Sequence, residues 1–102
     1  MVTNVTEEDQ APIDPRGYDL AYEVVARRLE RRIRAGEWQY HMPLPSEPAL
    51  SEWYGVSRTT IRSAIRLLAA KRMLEVRTGK GTYVTWEPGD ASHDASPQTE
   101  RE

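Results

Sequence analysis

Apolar residues recur at helical spacing three times along the middle of the chain. Tyr22, Val25, Ala26, Leu29 and Ile33 follow i, i+3, i+4, i+7, i+11, the stripe of an amphipathic helix. Asp19 can cap its start and Gly36 stands where a helix ends. Arg27, Arg28, Arg31, Arg32 and Arg34 fall outside the stripe, with Glu30 the only acid among them, and are expected to form a solvated face, from which one or two could touch a nucleic-acid backbone. A second, short helix follows Ser46, a good N-cap, with Glu47 at the positive end of the helix dipole and Pro48 in the first turn, where a missing N–H is tolerated. Ala49, Leu50, Trp53 and Tyr54 are its expected buried side, and Gly55 closes it. Ser57 then caps a third helix that runs to 70 or 71, with Ile61, Ala64, Ile65 and Leu68 as its apolar stripe. Two helices joined by a tight Gly-containing turn predict a helix-turn-helix.

Past residue 72 the pattern changes to alternation. Residues 75–78 and 82–85 are rich in Val, Thr and Tyr, and Gly79, Lys80 and Gly81 between them supply a turn, so a hairpin is predicted. The "MPL" at 42–44 adds a candidate third strand. The fold class is therefore α+β, mostly α: a winged helix-turn-helix of three helices plus a small antiparallel β wing, over residues 18–86. Residues 1–17 and 87–102 are polar, with scattered Pro and Gly and no periodicity. They read as a flexible acidic N-terminal arm and a disordered acidic tail.

The charge follows the same division. The formal net charge of −2 over 102 residues averages unlike segments. Residues 16–86 hold eleven Arg and two Lys against seven acids, whereas residues 1–15 hold four acids and no base. A basic middle between acidic ends suits a polyanionic partner. Without Cys there is no disulfide or thiolate metal site, and His41 and His93 stand far apart. No metal or cofactor is expected. No apolar run is long enough to span a membrane, and the acidic N-terminus is unlike a signal peptide, so a cytoplasmic location is the default. No nucleophile has a base nearby in sequence and no carboxylate pair lies near a His, so an enzyme is not expected.

The third helix carries the candidate chemistry. At 100° per residue, Thr59, Ser63, Arg66 and Ala70 point away from the apolar stripe, and Thr60 and Arg62 flank them. Positions 55–68 contain no acid. A solvated helix face ordinarily carries Glu and Lys in i, i+4 pairs. Short Thr and Ser let a helix approach a surface closely, Arg can fork onto guanine O6 and N7, and the free N–H groups of the first turn favour a phosphate. These are the requirements of a recognition helix in a major groove. Lys80 between two glycines is, taken alone, an ordinary polar turn; beside a helix-turn-helix it reads as a wing tip for the minor groove or its phosphates. The spacing of "TGKGT" does not fit a nucleotide-binding loop. Trp38, Trp53, Tyr54 and Tyr22 read as core or near-core aromatics rather than a stacking platform for single strands.

Residues 22–84, through "LPSEPALSEWYGVSRTTIRSAIRLL" and "EVRTGKGTYV", resemble the DNA-binding domain of the GntR family of bacterial transcription regulators. The resemblance implies a winged helix on double-stranded operator DNA, usually as a homodimer on a palindromic site and usually as a repressor. It implies DNA contacts at Arg58, Thr59, Thr60 and Arg62, and at Gly79 of the wing. With the outward-facing residues, the expected DNA-binding set is Ser57, Arg58, Thr59, Thr60, Arg62, Ser63, Arg66, Gly79 and Lys80, with the recognition helix at about 57–71 and the wing at 78–82. The sequence departs from the family pattern at four places. Pro48 stands where an Arg is frequent, and Ala49 where an acid completes the capping box. His41 and Arg72 stand where Gly is common, and Arg72 must either accept a left-handed backbone or change the turn. The family's usual C-terminal effector domain has no counterpart, so a stand-alone regulator without an evident small-molecule site is the favoured organisation. The alternatives are the DNA-binding piece of a longer effector-responsive regulator, and a winged-helix module whose basic face binds an acidic protein.

Overall fold

The computed structural model describes residues 11–13 and 20–88. In order these form helix α1 (Ala21–Arg34), helix α2 (Glu47–Tyr54), helix α3 (Arg58–Ala70), and strands β1 (Leu74–Arg77) and β2 (Gly81–Val84). Asp19 lies outside the described residues, as do most of the arm and the tail. Leu20 occupies the N-cap position of α1, and among the described residues no side chain caps that end. The other two caps are as expected. Ser46 Oγ accepts from the Ala49 N–H at 3.2 Å and Ser57 Oγ from the Thr60 N–H at 3.1 Å, each satisfying one orphan donor of its helix.

The helices pack as a cluster, with α1 and α2 both against α3, and β1 closing behind it. Val25, Leu29 and Ile33 of α1 meet Leu50 and Tyr54 of α2 and Ile61, Ala64, Ile65 and Leu68 of α3 in one core, completed by Met73, Leu74, Val84 and Trp86. Each fully buried Leu or Ile contributes about 1.5–3 kcal/mol. On α2 only Leu50 and Tyr54 are buried. Ala49 is exposed and Trp53 is 40% exposed, so the buried side of this eight-residue helix is narrower than the sequence pattern suggested.

β1 and β2 are antiparallel in the register Leu74↔Val84, Glu75↔Tyr83, Val76↔Thr82, Arg77↔Gly81. Both strands begin one residue earlier than the sequence pattern suggested, so Gly81 is a strand residue and the loop is 78–80. The Lys80 N–H closes that loop on the Arg77 carbonyl at 2.8 Å, and Gly79 sits at φ 77°, a left-handed conformation that glycine adopts without steric cost. Residues 42–44 do not form a strand of the sheet. They run along the outer edge of β2, where the Val84 N–H donates to the Met42 carbonyl and the Leu44 N–H to the Thr82 carbonyl, both at 2.9 Å. Pro43, which has no N–H, makes one bridge to Tyr83 there, a place where a strand edge tolerates proline.

Arg72 keeps the turn and accepts the left-handed backbone, at φ 65°. The Met73 N–H reaches the Leu68 carbonyl and the Arg72 N–H the Ala69 carbonyl, both at 2.9 Å, which is the Schellman closure with Arg at its left-handed position. Left-handed geometry at a non-glycine residue costs about 1–2 kcal/mol, partly offset by the larger unfolded-state entropy of glycine. Arg72→Gly is therefore expected to stabilise the domain by about 0.5–1 kcal/mol, read from the urea midpoint at unchanged slope; a loss of stability would mean the Arg72 side chain contributes more than its backbone strain costs.

The described part of the N-terminal arm is docked. Ile13 is 8% exposed and belongs to the core cluster. Its N–H donates to the Tyr54 carbonyl at the end of α2 at 2.9 Å, and Arg28 Nη1 donates to the Ala11 carbonyl at 2.8 Å. Ala11 and Ile13 of the expected arm thus contact α1 and the end of α2.

Candidate nucleic-acid interface

The outward surface of α3 is built by the inward one. Ile61, Ala64, Ile65 and Leu68 are buried, which turns Arg58, Thr59, Arg62, Arg66 and Ala70 to solvent and leaves Thr60 and Ser63 half-buried. Ser57 and Thr60 engage each other at the helix start, since the Ser57 hydroxyl also donates to Thr60 Oγ1 at 3.0 Å. Thr60 is thereby held as a partner of the cap, and Thr59 is the freer of the two threonines. The first turn of α3 contains no acid, so its positive dipole end is unneutralised by its own helix.

Arg62 is not without an acid, however. Glu47, fifteen residues back at the start of α2, accepts from Arg62 Nη2 at 2.9 Å and from Nε at 3.4 Å. Its hydrogen bond and charge push the Arg62 pKa up from the usual guanidinium value. The absence of acid within 55–68 holds for the segment and fails for the surface, because α2 brings a carboxylate to the edge of α3. No ion pair is formed by Arg58 or Arg66 among the described residues.

At the wing, Gly79 and Lys80 are exposed at the hairpin tip. The tip is braced from behind: the Tyr83 hydroxyl donates to the Lys80 carbonyl at 3.3 Å, and the Arg77 guanidinium lies 4.6 Å above the Tyr83 ring while bonding Glu75 at 3.2 Å. Val76, 55% exposed, projects from the sheet face opposite to Tyr83. The structure thus puts seven of the nine expected residues on or at the start of one helix and two at the tip of a hairpin whose first strand packs against that helix.

The Arg set of α1 is a solvated face only in part: Arg27 and Arg31 are exposed and Arg28 and Arg34 half-buried. Arg32 is fully buried. Its Nε donates to Glu37 Oε1 at 2.9 Å, its Nη2 to Glu37 Oε2, and its Nη1 to the Tyr54 hydroxyl at 2.9 Å. The guanidinium lies 4.5 Å from the Trp38 ring centroid and 4.2 Å from that of Trp53. Burial pulls the Arg32 pKa down, and the hydrogen bonds to Glu37 and Tyr54 outweigh it, so the net shift is upward. Sequence periodicity carried a sign of this, since 32 lies at i+7 from Val25 on the buried stripe.

Glu30 forms a second tie. Its carboxylate accepts from Lys71 Nζ at 2.7 Å and from Arg34 Nε at 2.9 Å, linking α1 to the C-terminal end of α3. Burial pushes the Glu30 pKa up, but the Lys71 and Arg34 hydrogen bonds outweigh it and hold the carboxyl below its ordinary 4.5. A depressed folded-state value means stability that is present above the unfolded pKa and lost as pH falls through the folded one. Glu30→Gln should therefore destabilise the domain at pH 7 and have progressively less effect as pH falls below about 4.3. A difference between the two proteins that stays constant across that window, followed by circular dichroism, would count against this linkage.

Among the described residues no helix is long and apolar enough to cross a membrane. The model of a family described as "Bacterial regulatory proteins, gntR family" matches residues 21–84, from the first residue of α1 to the last of β2. The mannosyl-D-glycerate transport/metabolism system repressor MngR of Escherichia coli (strain K12) is 41% identical over 71 residues, 70% of this chain and 30% of that protein. The HTH-type transcriptional repressor NagR of Bacillus subtilis (strain 168) is 34% identical over 82 residues, 80% of this chain and 30% of that protein. The chain thus spans about 30% of the length of these curated relatives. Among solved structures, the AraR DNA-binding domain in complex with operator ORE1 is 32% identical with a TM-score of 0.65, covering 74% of this chain and 93% of that one. The winged helix-turn-helix architecture is shared with these domains. With a family model spanning all three helices and both strands, the chain belongs to the gntR family of bacterial regulatory proteins.

Proposed function

We propose that this chain is a sequence-specific, double-stranded-DNA-binding transcription regulator that acts as a repressor in the cytoplasm. In this reading α3 enters the major groove with Thr59, Arg62 and Ser63 toward base edges. Arg58 and Arg66 hold phosphates, the Ser57 and Thr60 cap presents the first-turn N–H groups, and Gly79 and Lys80 meet the minor groove or its backbone. The observation that carries it is the outward face of α3: short hydroxyl side chains between arginines, two of which have no carboxylate partner among the described residues, on a helix anchored by a fully buried stripe. DNA binding as such is supported by the similar AraR DNA-binding domain, which was solved in complex with operator ORE1. Repression is supported by the relatives that carry that name. A homodimer on a palindrome, with two copies of α3 one helical turn apart, is the assembly such recognition helices commonly adopt.

In-vitro selection of duplexes bound by the chain tests this directly. A palindromic consensus with half-sites about 10 bp apart is expected, and a single half-site would mean monomeric reading. Binding to the selected site should weaken steeply with salt. Failure to enrich any sequence would favour the interaction-module alternative, in which duplex DNA does not compete with the protein partner.

A further inference from the structure

We propose that Glu47 is a positioning residue for DNA reading, which holds the Arg62 guanidinium side-on so that its free edge meets a guanine and its use on phosphate is penalised. This rests on the assignment of α3 to the major groove. Arg62 is the one outward arginine of α3 with a carboxylate partner among the described residues, and that partner comes from a different helix. An exposed pair of this kind contributes little to folding, so its place at the interface calls for another role.

The geometry supplies it. Glu47 occupies Nε and one N–H of Nη2. A guanidinium has five N–H donors in a rigid fork, so the end-on edge, one N–H from each Nη, is left unused. That edge is the one that can make two parallel bonds to guanine O6 and N7. Glu47 itself is well placed to aim it. Its backbone lies between the Ser46 cap and Pro48, whose ring fixes φ and adds no charge. A phosphate bound by the same guanidinium would come close to the carboxylate, and like charges repel most where water is excluded. A base edge carries no net charge and meets no such penalty. Glu47 therefore lowers the affinity of Arg62 for generic backbone while leaving its affinity for a guanine edge. Arg58 and Arg66, without such partners among the described residues, are left to the phosphates.

The test compares the unaltered chain, E47Q, R62A and the double variant on a duplex selected in vitro and on random duplex. E47Q should bind random duplex several-fold more tightly, with the slope of log K against log salt steeper by about one phosphate's worth. The ratio of selected to random affinity should fall about tenfold, the discrimination of one bidentate contact. In the R62A background the same substitution should leave the ratio unchanged within about twofold, since uncoupled sites add. An unchanged ratio in E47Q, or an equal loss on both duplexes, overturns the proposal. So does an effect of E47Q that persists in R62A, which would make Glu47 a direct reader of a base such as cytosine N4. A chain that binds every duplex alike would overturn the DNA-reading assignment as well, whereas sequence selection with indifference to E47Q overturns the role of Glu47 alone.

Discussion

Arg32→Ala is expected to destabilise the domain by about 3 kcal/mol, a large share of what a small domain has. The substitution removes the 2.9 Å hydrogen bond from the guanidinium to the buried Tyr54 hydroxyl, and a bond to a charged group contributes about 1.5–3 kcal/mol. It removes a desolvated cation between two indole rings, worth about 2 kcal/mol, and opens a cavity where the side chain stood. Glu37 is partly exposed and can rehydrate, which limits the total. For a domain of this size the melting temperature should fall by roughly 12 °C or more. Arg32→Lys should recover only part of this, since an ammonium cannot fork onto Glu37 and stack on Trp38 and Trp53 together. A urea titration that shows less than about 1 kcal/mol for Arg32→Ala would mean the network is an incidental contact. Because Tyr54 and Trp53 both lie on α2, loosening Arg32 also loosens the helix that carries Glu47.

The second large effect is on binding. Arg62→Ala should lower affinity for the selected operator by about 1–3 kcal/mol and flatten base preference at one position, the signature of a lost bidentate contact. Its thermal stability should change little, since the Glu47–Arg62 pair is exposed and such pairs contribute little to folding. Arg66→Ala is the contrast: a uniform weakening across sequences, with a salt slope reduced by about one. If Arg62→Ala weakens selected and random duplexes equally, Arg62 belongs with the phosphate contacts and the base-reading role passes to Thr59 and Ser63.

The helices were legible because their apolar stripes are periodic and their ends are marked. Ser46 and Ser57 cap where the pattern placed them, and Gly36 and Gly55 sit in the left-handed region at the helix ends. The hairpin was legible to within one residue, the residual shift arising because Gly81 can serve as a strand end opposite Arg77. Less was legible at residues 42–44, where two hydrogen bonds to β2 flank Pro43 and make a single bridge rather than a strand. The docking of Ile13 was not visible at all. One apolar residue among polar neighbours has no period, and its partner, the Tyr54 carbonyl, is forty-one residues away in sequence.

The outward face of α3 followed from local rules alone: helical periodicity fixes which side chains oppose the buried ones, so Thr59, Ser63 and Arg66 were placed by the positions of Ile61, Ala64, Ile65 and Leu68. Which charges meet on that face was decided by the tertiary structure. Whether an arginine is a free cation, a fork on a carboxylate or a buried strut depends on what another helix brings within about 3 Å, and periodicity along one helix contains no term for a second. Arg32, Arg62 and Arg66 are the same residue type; the packing of α1, α2 and α3 makes them a core strut, a guanidinium paired with Glu47 and one with no ion pair among the described residues.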